Sequence, residues 1–412
     1  MLCPIRRLDY LETVFSSRVP ADLTENRLTR VLARLGARGE PVLDLTETNP
    51  TRVGLPFPPD LLAPLADRES LVYDPHPLGL PGARSAVSRD FARRGLDVPP
   101  EHVALTASTS EAYSLLFKLL CDPGDTVLVP QPSYPLFDHL TRLDGVQAEA
   151  YRLEYHGGWL LDVDSVRRAV SPRTRAILAV SPNNPTGSFL SRDEIAGLDR
   201  IAEAHGLALI GDEVFADYVI DGDREPPPSV LARPAALTFG LGGLSKSAGL
   251  PQLKLGWIGM AGPAPLVSDA RTRLELIADT YLSVSTPVQR AAAGLLAAGA
   301  GIRARILDRV RTNYGRLAAA TAAHPACSLL PAEGGWSAVV RAPATLGEEA
   351  LVLALLEQDH VLVHPGYFFD FDREAFLIVS LLPDPGIFRE GVARVLGRVT
   401  ATPGLSSPRP SP

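Results

Sequence analysis

Lysine is the scarcest cation in this sequence. Only Lys118, Lys246 and Lys254 occur among the 40 basic residues, so 40 − 3 = 37 are arginine and solvated surface charge is already supplied. A surviving lysine is therefore informative. Lys246 lies in Gly242-Gly243-Leu244-Ser245-Lys246-Ser247, a small-residue loop that a ligand can approach closely. Three other stretches carry groups suited to ligand binding. Ser108, Thr109 and Ser110 bring hydroxyls to the start of a helical pattern, where free N–H groups and the helix dipole attract phosphate. Ser181-Pro182-Asn183-Asn184-Pro185-Thr186-Gly187 is a rigid turn that can fix an amide against a ligand oxygen. Asp212 closes the apolar run Ala208-Leu209-Ile210-Gly211, where a carboxylate needs a partner or solvent. Taken singly, each stretch also has a plain reading: an N-cap, a turn, a strand-end cap and a surface lysine.

The elements that must hold these groups follow from hydrophobic periodicity. From His102 to about Gly262, short apolar runs alternate with helical patterns, which predicts strands over 102–107, 126–130, 146–153, 176–181, 207–212, 236–240 and 255–260. Helices are expected over 110–121, 136–143, 162–170 and 192–205. Continuous apolar character fits strands covered on both faces. The expectation is an α/β protein whose large domain holds a mostly parallel seven-stranded sheet sandwiched by helices. After a long amphipathic stretch over 288–323, strands at 337–341, 361–364 and 376–381 point to a smaller α+β domain. The expected division is an N-terminal segment over 1–66 packing with the small domain, a large domain over 67–298 and a small domain over 299–400. Residues 401–412 read as a disordered Pro and Ser tail with nothing to bury. Ligands of open parallel sheets bind beyond the carboxyl ends of the strands, and all four stretches fall there.

A net charge of -7 argues against a general nucleic-acid surface and favours small-molecule chemistry. Cys3, Cys121 and Cys327 are odd in number and widely separated, which fits neither a disulfide framework nor a metal site. A reduced, cytoplasmic setting is expected. No uninterrupted apolar segment is long enough to span a membrane, and no secretory leader is expected.

Together and in this order, the stretches resemble the fold type I pyridoxal-phosphate enzymes, specifically the class I/II aminotransferases. The resemblance runs from about Asp44 to Leu382. Its most specific parts are Asn184-Pro185-Thr186-Gly187, Asp212-Glu213-Val214-Phe215, Ser245-Lys246 with Lys254-Leu255-Gly256-Trp257, and Val363-His364-Pro365-Gly366. Tyr73, Gly79-Leu80-Pro81 with Arg84, and Pro132-Ser133-Tyr134 add to it. The resemblance implies pyridoxal 5'-phosphate as cofactor, held by Lys246 as a Schiff base, with the lysine then moving a proton between substrate carbon and cofactor. It implies that Asp212 keeps the pyridine nitrogen protonated, that Asn184 bonds the ring oxygen and that Tyr134 stacks on the ring. Ser108, Thr109, Ser110, Ser245 and Lys254 would surround the phosphate, with Tyr73 reaching in from a second subunit of a homodimer. Small-molecule amino and oxo acids would be the partners, with no metal.

The sequence departs from that pattern at several positions. Phe215 stands where a tyrosine is usual, Lys254 replaces an arginine fork with a point charge, and Gly243 replaces a serine. At Ile378 the family usually places the arginine that clamps the substrate carboxylate. Thr48, Arg52 and Arg341 are therefore candidates for substrate binding, or the substrate presents something other than an ordinary α-carboxylate. Three functions share this scaffold: amino transfer through the pyridoxamine form, a lyase eliminating from the same site, and a cofactor-binding protein without catalysis.

Overall fold

The computed structural model describes residues 14–222, 227–282, 284–344 and 347–401. Among the described residues, fourteen strands form three sheets. The first, β1 (Leu43–Asp44), belongs to a two-stranded ribbon. The large sheet holds β2 (Val103–Thr106), β3 (Thr126–Gln131), β4 (Gln147–Tyr155), β5 (Trp159–Leu161), β6 (Thr174–Val180), β7 (Ala208–Asp212), β8 (Thr238–Gly243) and β9 (Gly256–Ala261). Then follow β10 (Ser328–Leu330), β11 (Ser337–Arg341), β12 (Val361–Leu362), β13 (His364–Pro365) and β14 (Phe376–Ser380).

The large sheet runs β2-β9-β8-β7-β6-β3-β4-β5. Its central pairs from β8 to β4 are parallel, while β9 is antiparallel to both neighbours. It therefore has eight strands, one more than the periodicity predicts. The extra one, β5, is three residues long, pairs antiparallel with β4 across a short turn and lies at the sheet edge. Three residues are too few to show an alternation, which is why the hydrophobic pattern misses it.

Burial on both faces explains the unbroken apolar runs. Along β6, Ala176, Leu178 and Val180 pack in one core with the helices Thr109–Leu120 and Ala264–Tyr281. Ile177 and Ala179 face the opposite core, with Leu198, Ile201 and Ala202 of the helix Arg192–His205. That helix opens on a Ser191–Glu194 capping box and closes on Gly206 at φ 64, which is why its bounds are legible in the sequence. The helices Thr109–Leu120, Leu136–Leu143 and Val163–Ala169 match the other expectations within a residue at either end. The helix Ala264–Tyr281 has a broad, mixed pattern and the periodicity misses it.

The C-terminal sheet, β10-β11-β14-β13, is antiparallel. The expected single strand over 361–364 divides at Val363: β12 turns away to pair in parallel with β1, while β13 pairs with β14. One chain segment thus joins the N-terminal residues to the C-terminal sheet. The helix Thr286–Ala322 runs unbroken through position 298, so the expected boundary falls inside a helix and not in a linker. Residues 402–412 of the expected tail lie outside the described residues.

Gly211 shows how tightly the functional edge is built. A Cβ there would meet Val230 Cγ2 at 2.3 Å, one residue before Asp212. Gly211→Ala is expected to cost about 1–3 kcal/mol through overpacking. A urea midpoint equal to that of the parent chain would contradict this.

Candidate active site

The carboxyl ends of β2, β6, β7 and β8 open into one cavity of about 210 Å³. Lys246, Asp212, Asn184, Tyr134, Phe215, Thr109, Ser110 and Thr48 line it, so residues separated by almost 200 positions converge as the four sequence stretches predict. Ile378, 2 % exposed, lines it as well, which puts that departure at the site itself.

Each side chain is held by the element beneath it. Ser108 caps the helix Thr109–Leu120 by accepting from Glu111 N at 3.1 Å, while Glu111 Oε2 accepts from Ala107 N at 2.5 Å. With Glu111 N taken by the Ser108 cap, the Thr109 and Ser110 N–H groups, which have no partner within the helix, can take an anion. Gly256 on β9 makes room for this turn: a Cβ there would lie 3.0 Å from the Ser108 carbonyl carbon and 3.2 Å from Thr109 N. At Gly243 a Cβ would come within 3.1 Å of the Leu255 carbonyl oxygen, a tight fit that accounts for glycine in place of serine.

Asp212 ends β7. Its neighbour Glu213 is buried and accepts from Arg94 Nη2 at 2.6 Å, Ser229 Oγ at 2.9 Å and Val230 N at 2.9 Å, which pins the strand end. Asp212 itself accepts from Tyr113 Oη at 2.6 Å and from Val214 N at 3.2 Å. Burial pushes its carboxyl above the ordinary range; those two hydrogen bonds and the nearby Lys246 pull it back. A desolvated carboxylate of this kind suits a protonated ring nitrogen.

Lys246 lies in the short helix Leu244–Ser247, immediately after β8. Tyr218 Oη donates to its carbonyl oxygen at 2.5 Å. Its Nζ lies 4.9 Å from the centre of the Trp336 ring and 5.3 Å from that of Phe215. Burial pushes the amine down to about 8, against the opposing pull of Asp212, so an appreciable fraction is a neutral nucleophile near physiological pH. Asn184, at a cis Asn184–Pro185 bond, accepts from Ser337 Oγ at 3.3 Å, which leaves its amide NH₂ to donate. The cavity therefore fits pyridoxal phosphate by its donor set: an amine for the aldehyde, a carboxylate for the ring nitrogen, an amide for the ring oxygen, an aromatic face and a helix N-terminus.

Several expected residues do not line this cavity. Ser108 and Ser245 adjoin lining residues but are not among them. Lys254, at φ 50, and Tyr73 are exposed on this chain. Arg52 is exposed. Arg341 lies at the far end of β11 and lines a second cavity of about 390 Å³ with Arg152, Trp159, Phe371 and Arg373, so it is not brought to Lys246. The reason is length: from Ser337 to Arg341 a strand advances roughly 13 Å. Conversely, the sequence reading misses Tyr113 and Trp336. Tyr113 sits among Ala112, Leu115 and Leu116 and reads as core; Trp336 follows Gly334-Gly335, a pair that permits close backbone approach and is the one signal for it.

Comparison with known proteins agrees with this geometry. Residues 65–390 match the family described as aminotransferase class I and II. The chain is 29% identical over 293 residues, 70% of either chain, to the glutamate-pyruvate aminotransferase of Escherichia coli K12. It is 34% identical over 251 residues to a probable N-succinyldiaminopimelate aminotransferase of Mycobacterium tuberculosis H37Rv, covering 60% of this chain and 62% of that one. The solved alanine aminotransferase of Pyrococcus furiosus superposes with a TM-score of 0.82 at 27% identity, covering 94% of this chain and 99% of that one. The chain belongs to the class I and II aminotransferase family. It is a pyridoxal-phosphate-dependent transaminase with the fold type I architecture.

Tyr113→Phe removes a hydrogen bond to a buried carboxylate, a contact worth roughly 1.5–3 kcal/mol. Asp212 is then expected to protonate more readily and the protein to hold its cofactor at least about tenfold more weakly, read from the dissociation constant by absorbance. Equal retention would show that the hydroxyl does not tune Asp212.

Proposed function

We propose that this transaminase holds pyridoxal phosphate covalently on Lys246 Nζ and shuttles an amino group between an amino acid and a 2-oxo acid. The observation that carries this is the one cavity that joins an amine lowered to about 8 by desolvation to Asp212, Asn184 and a helix N-terminus. When bound, the cofactor supplies an aldehyde for the amine and a ring that spreads carbanion charge. Asp212 holds the proton on the ring nitrogen, with Tyr113 and Val214 N–H keeping the carboxylate ionised. The Asn184 amide donates to the ring oxygen. With phenylalanine at position 215, no hydroxyl from there assists it. Tyr134 covers one face of the ring. Lys246 Nζ would be the group that takes the proton from the substrate α-carbon and returns it on the cofactor side.

Thr109 and Ser110 hold the phosphate, and Ser108, Ser245 and Lys254 complete its surroundings. Lys254 and Tyr73 are both exposed on one chain, which suits a homodimer in which Tyr73 of the partner subunit closes the cup. The division into a large domain over 67–298 and a small one over 299–400, with the helix Thr286–Ala322 spanning the boundary, belongs to the same reading. Free Cys121 and Cys327 fit a reduced, cytoplasmic setting. Alanine and glutamate are the first donors to try, because relatives are named for them.

Two measurements test this reading. Holoprotein reduced with borohydride and digested should carry the label on the Lys246 peptide, and amino acids added singly should convert the bound cofactor to its amine form. A label elsewhere, or silence from every amino acid, would overturn it. The rate of covalent attachment to apoprotein should also fall about tenfold per pH unit below about 8 and level off above it, because the protonated amine is no nucleophile. A rate flat from pH 6 to 9 would mean that Lys246 is not the group being titrated.

A further inference from the structure

We propose that His364 receives the carboxylate of the amino-acid substrate, in place of an arginine. The inference rests on the transaminase reading above and names the group that would orient the substrate.

The cavity's own inventory leads to it. Apart from Tyr134, the ionisable side chains lining it are Lys246, Asp212 and His364. Lys246 is committed to the cofactor and Asp212 is an anion, so among the lining residues His364 alone can present a positive charge to a substrate acid. Position and availability agree with this. His364 on β13 stands directly opposite Ile378 on β14, so the two side chains share one sheet face with Cβ atoms about 4.5–5.5 Å apart. Ser380 and its cross-strand partner Ser337 continue that face. Both hydroxyl protons are already spent: Ser380 Oγ donates to Glu47 O at 2.7 Å and Ser337 Oγ donates to Asn184 Oδ1 at 3.3 Å. The His364 ring, flanked by Phe368 and Phe369, has no hydrogen-bond or ion-pair partner among the described residues. Two further donors line the cavity without a partner among the described residues: the Thr48 hydroxyl and the buried Trp336 Nε1–H. They can take the second carboxylate oxygen.

Charged and titratable groups around the ring leave this role open. Asp44, on β1, accepts from Thr46 N and Oγ1. Glu47 accepts from Asn49 N. Glu348 accepts from Tyr367 N and Phe376 N, and the Tyr367 phenol is raised by burial and by its acidic neighbours. Lys246 and Asp212 line the same cavity. Burial lowers the His364 pKa, with Asp44 opposing, so the resting ring is largely neutral at pH 7. An arriving carboxylate reverses that balance by supplying the missing counter-ion. Substrate and proton then bind together: affinity is highest below the free-enzyme pKa of His364 and falls as pH rises through and above it.

The experiment compares parent, His364→Asn and His364→Lys holoenzymes in the half-reaction with the donor that converts best in the amino-acid screen, from pH 5.5 to 9. The parent KM should rise by up to about tenfold per pH unit above the His364 pKa, with kcat changing far less. His364→Asn should raise KM at pH 6 by at least about tenfold, flatten its pH profile and keep the visible absorption of the bound cofactor. His364→Lys should restore a low KM and hold it to pH 9. An unchanged KM and slope in His364→Asn, or equal losses in kcat with KM intact, would overturn the assignment. If no amino acid converts the parent, the transaminase reading fails on its own. The histidine is then read by NMR: succinate must raise the His364 pKa in the holoprotein, and an unmoved pKa overturns the role.

Discussion

Desolvation acts in opposite senses on two charges that share one cavity. Removing water lowers the Lys246 amine towards neutrality and raises the Asp212 carboxyl, and their mutual attraction only partly offsets both shifts. The chemistry needs this tension. In the proposed chemistry a fully solvated lysine would stay protonated and inert, and a fully protonated Asp212 could not hold a proton on a ring nitrogen. Tyr113 and Val214 N–H set the balance by donating to the carboxylate, while Trp336 and Phe215 face the amine with ring surfaces and no counter-ion.

The rest of the large domain serves to bring those charges together and keep them there. Parallel strands end side by side, so β7 delivers Asp212 and β8 delivers Lys246 to the same edge. Close packing fixes the ends: Gly211 admits Val230, Gly256 admits the helix turn at Ser108, and Glu213 is bound by three donors. The antiparallel C-terminal sheet supplies a second wall of the same cavity through Ser337, His364, Ile378 and Ser380. Because β1 pairs with β12, the N-terminal chain is tied to this second wall, which places Thr46 and Thr48 beside it.

Much of this was legible in the residues. Unbroken apolar runs marked the central strands such as β6, β7 and β8 because both of their faces are buried, and caps such as Ser191 with Glu194 marked helix bounds because they satisfy local N–H groups. Lys246, Asp212 and Asn184 stood out because polar groups at the ends of buried strands are costly unless they act on something. β5 and the helix Ala264–Tyr281 were not legible, the first being too short for a pattern and the second having apolar residues spread around its circumference.

Sequence alone marked seven of the large sheet's eight strands and the order of the strand-end groups, since each depends on local spacing and on burial of contiguous residues. Only the tertiary structure decided which distant side chains meet. It set Tyr113 against Asp212 and Trp336 against Lys246, placed Arg341 in a different cavity, and left His364 opposite Ile378. The first three outcomes depend on how helices and sheets pack across long separations in the chain and the last on how β13 registers against β14, and no periodicity records such contacts.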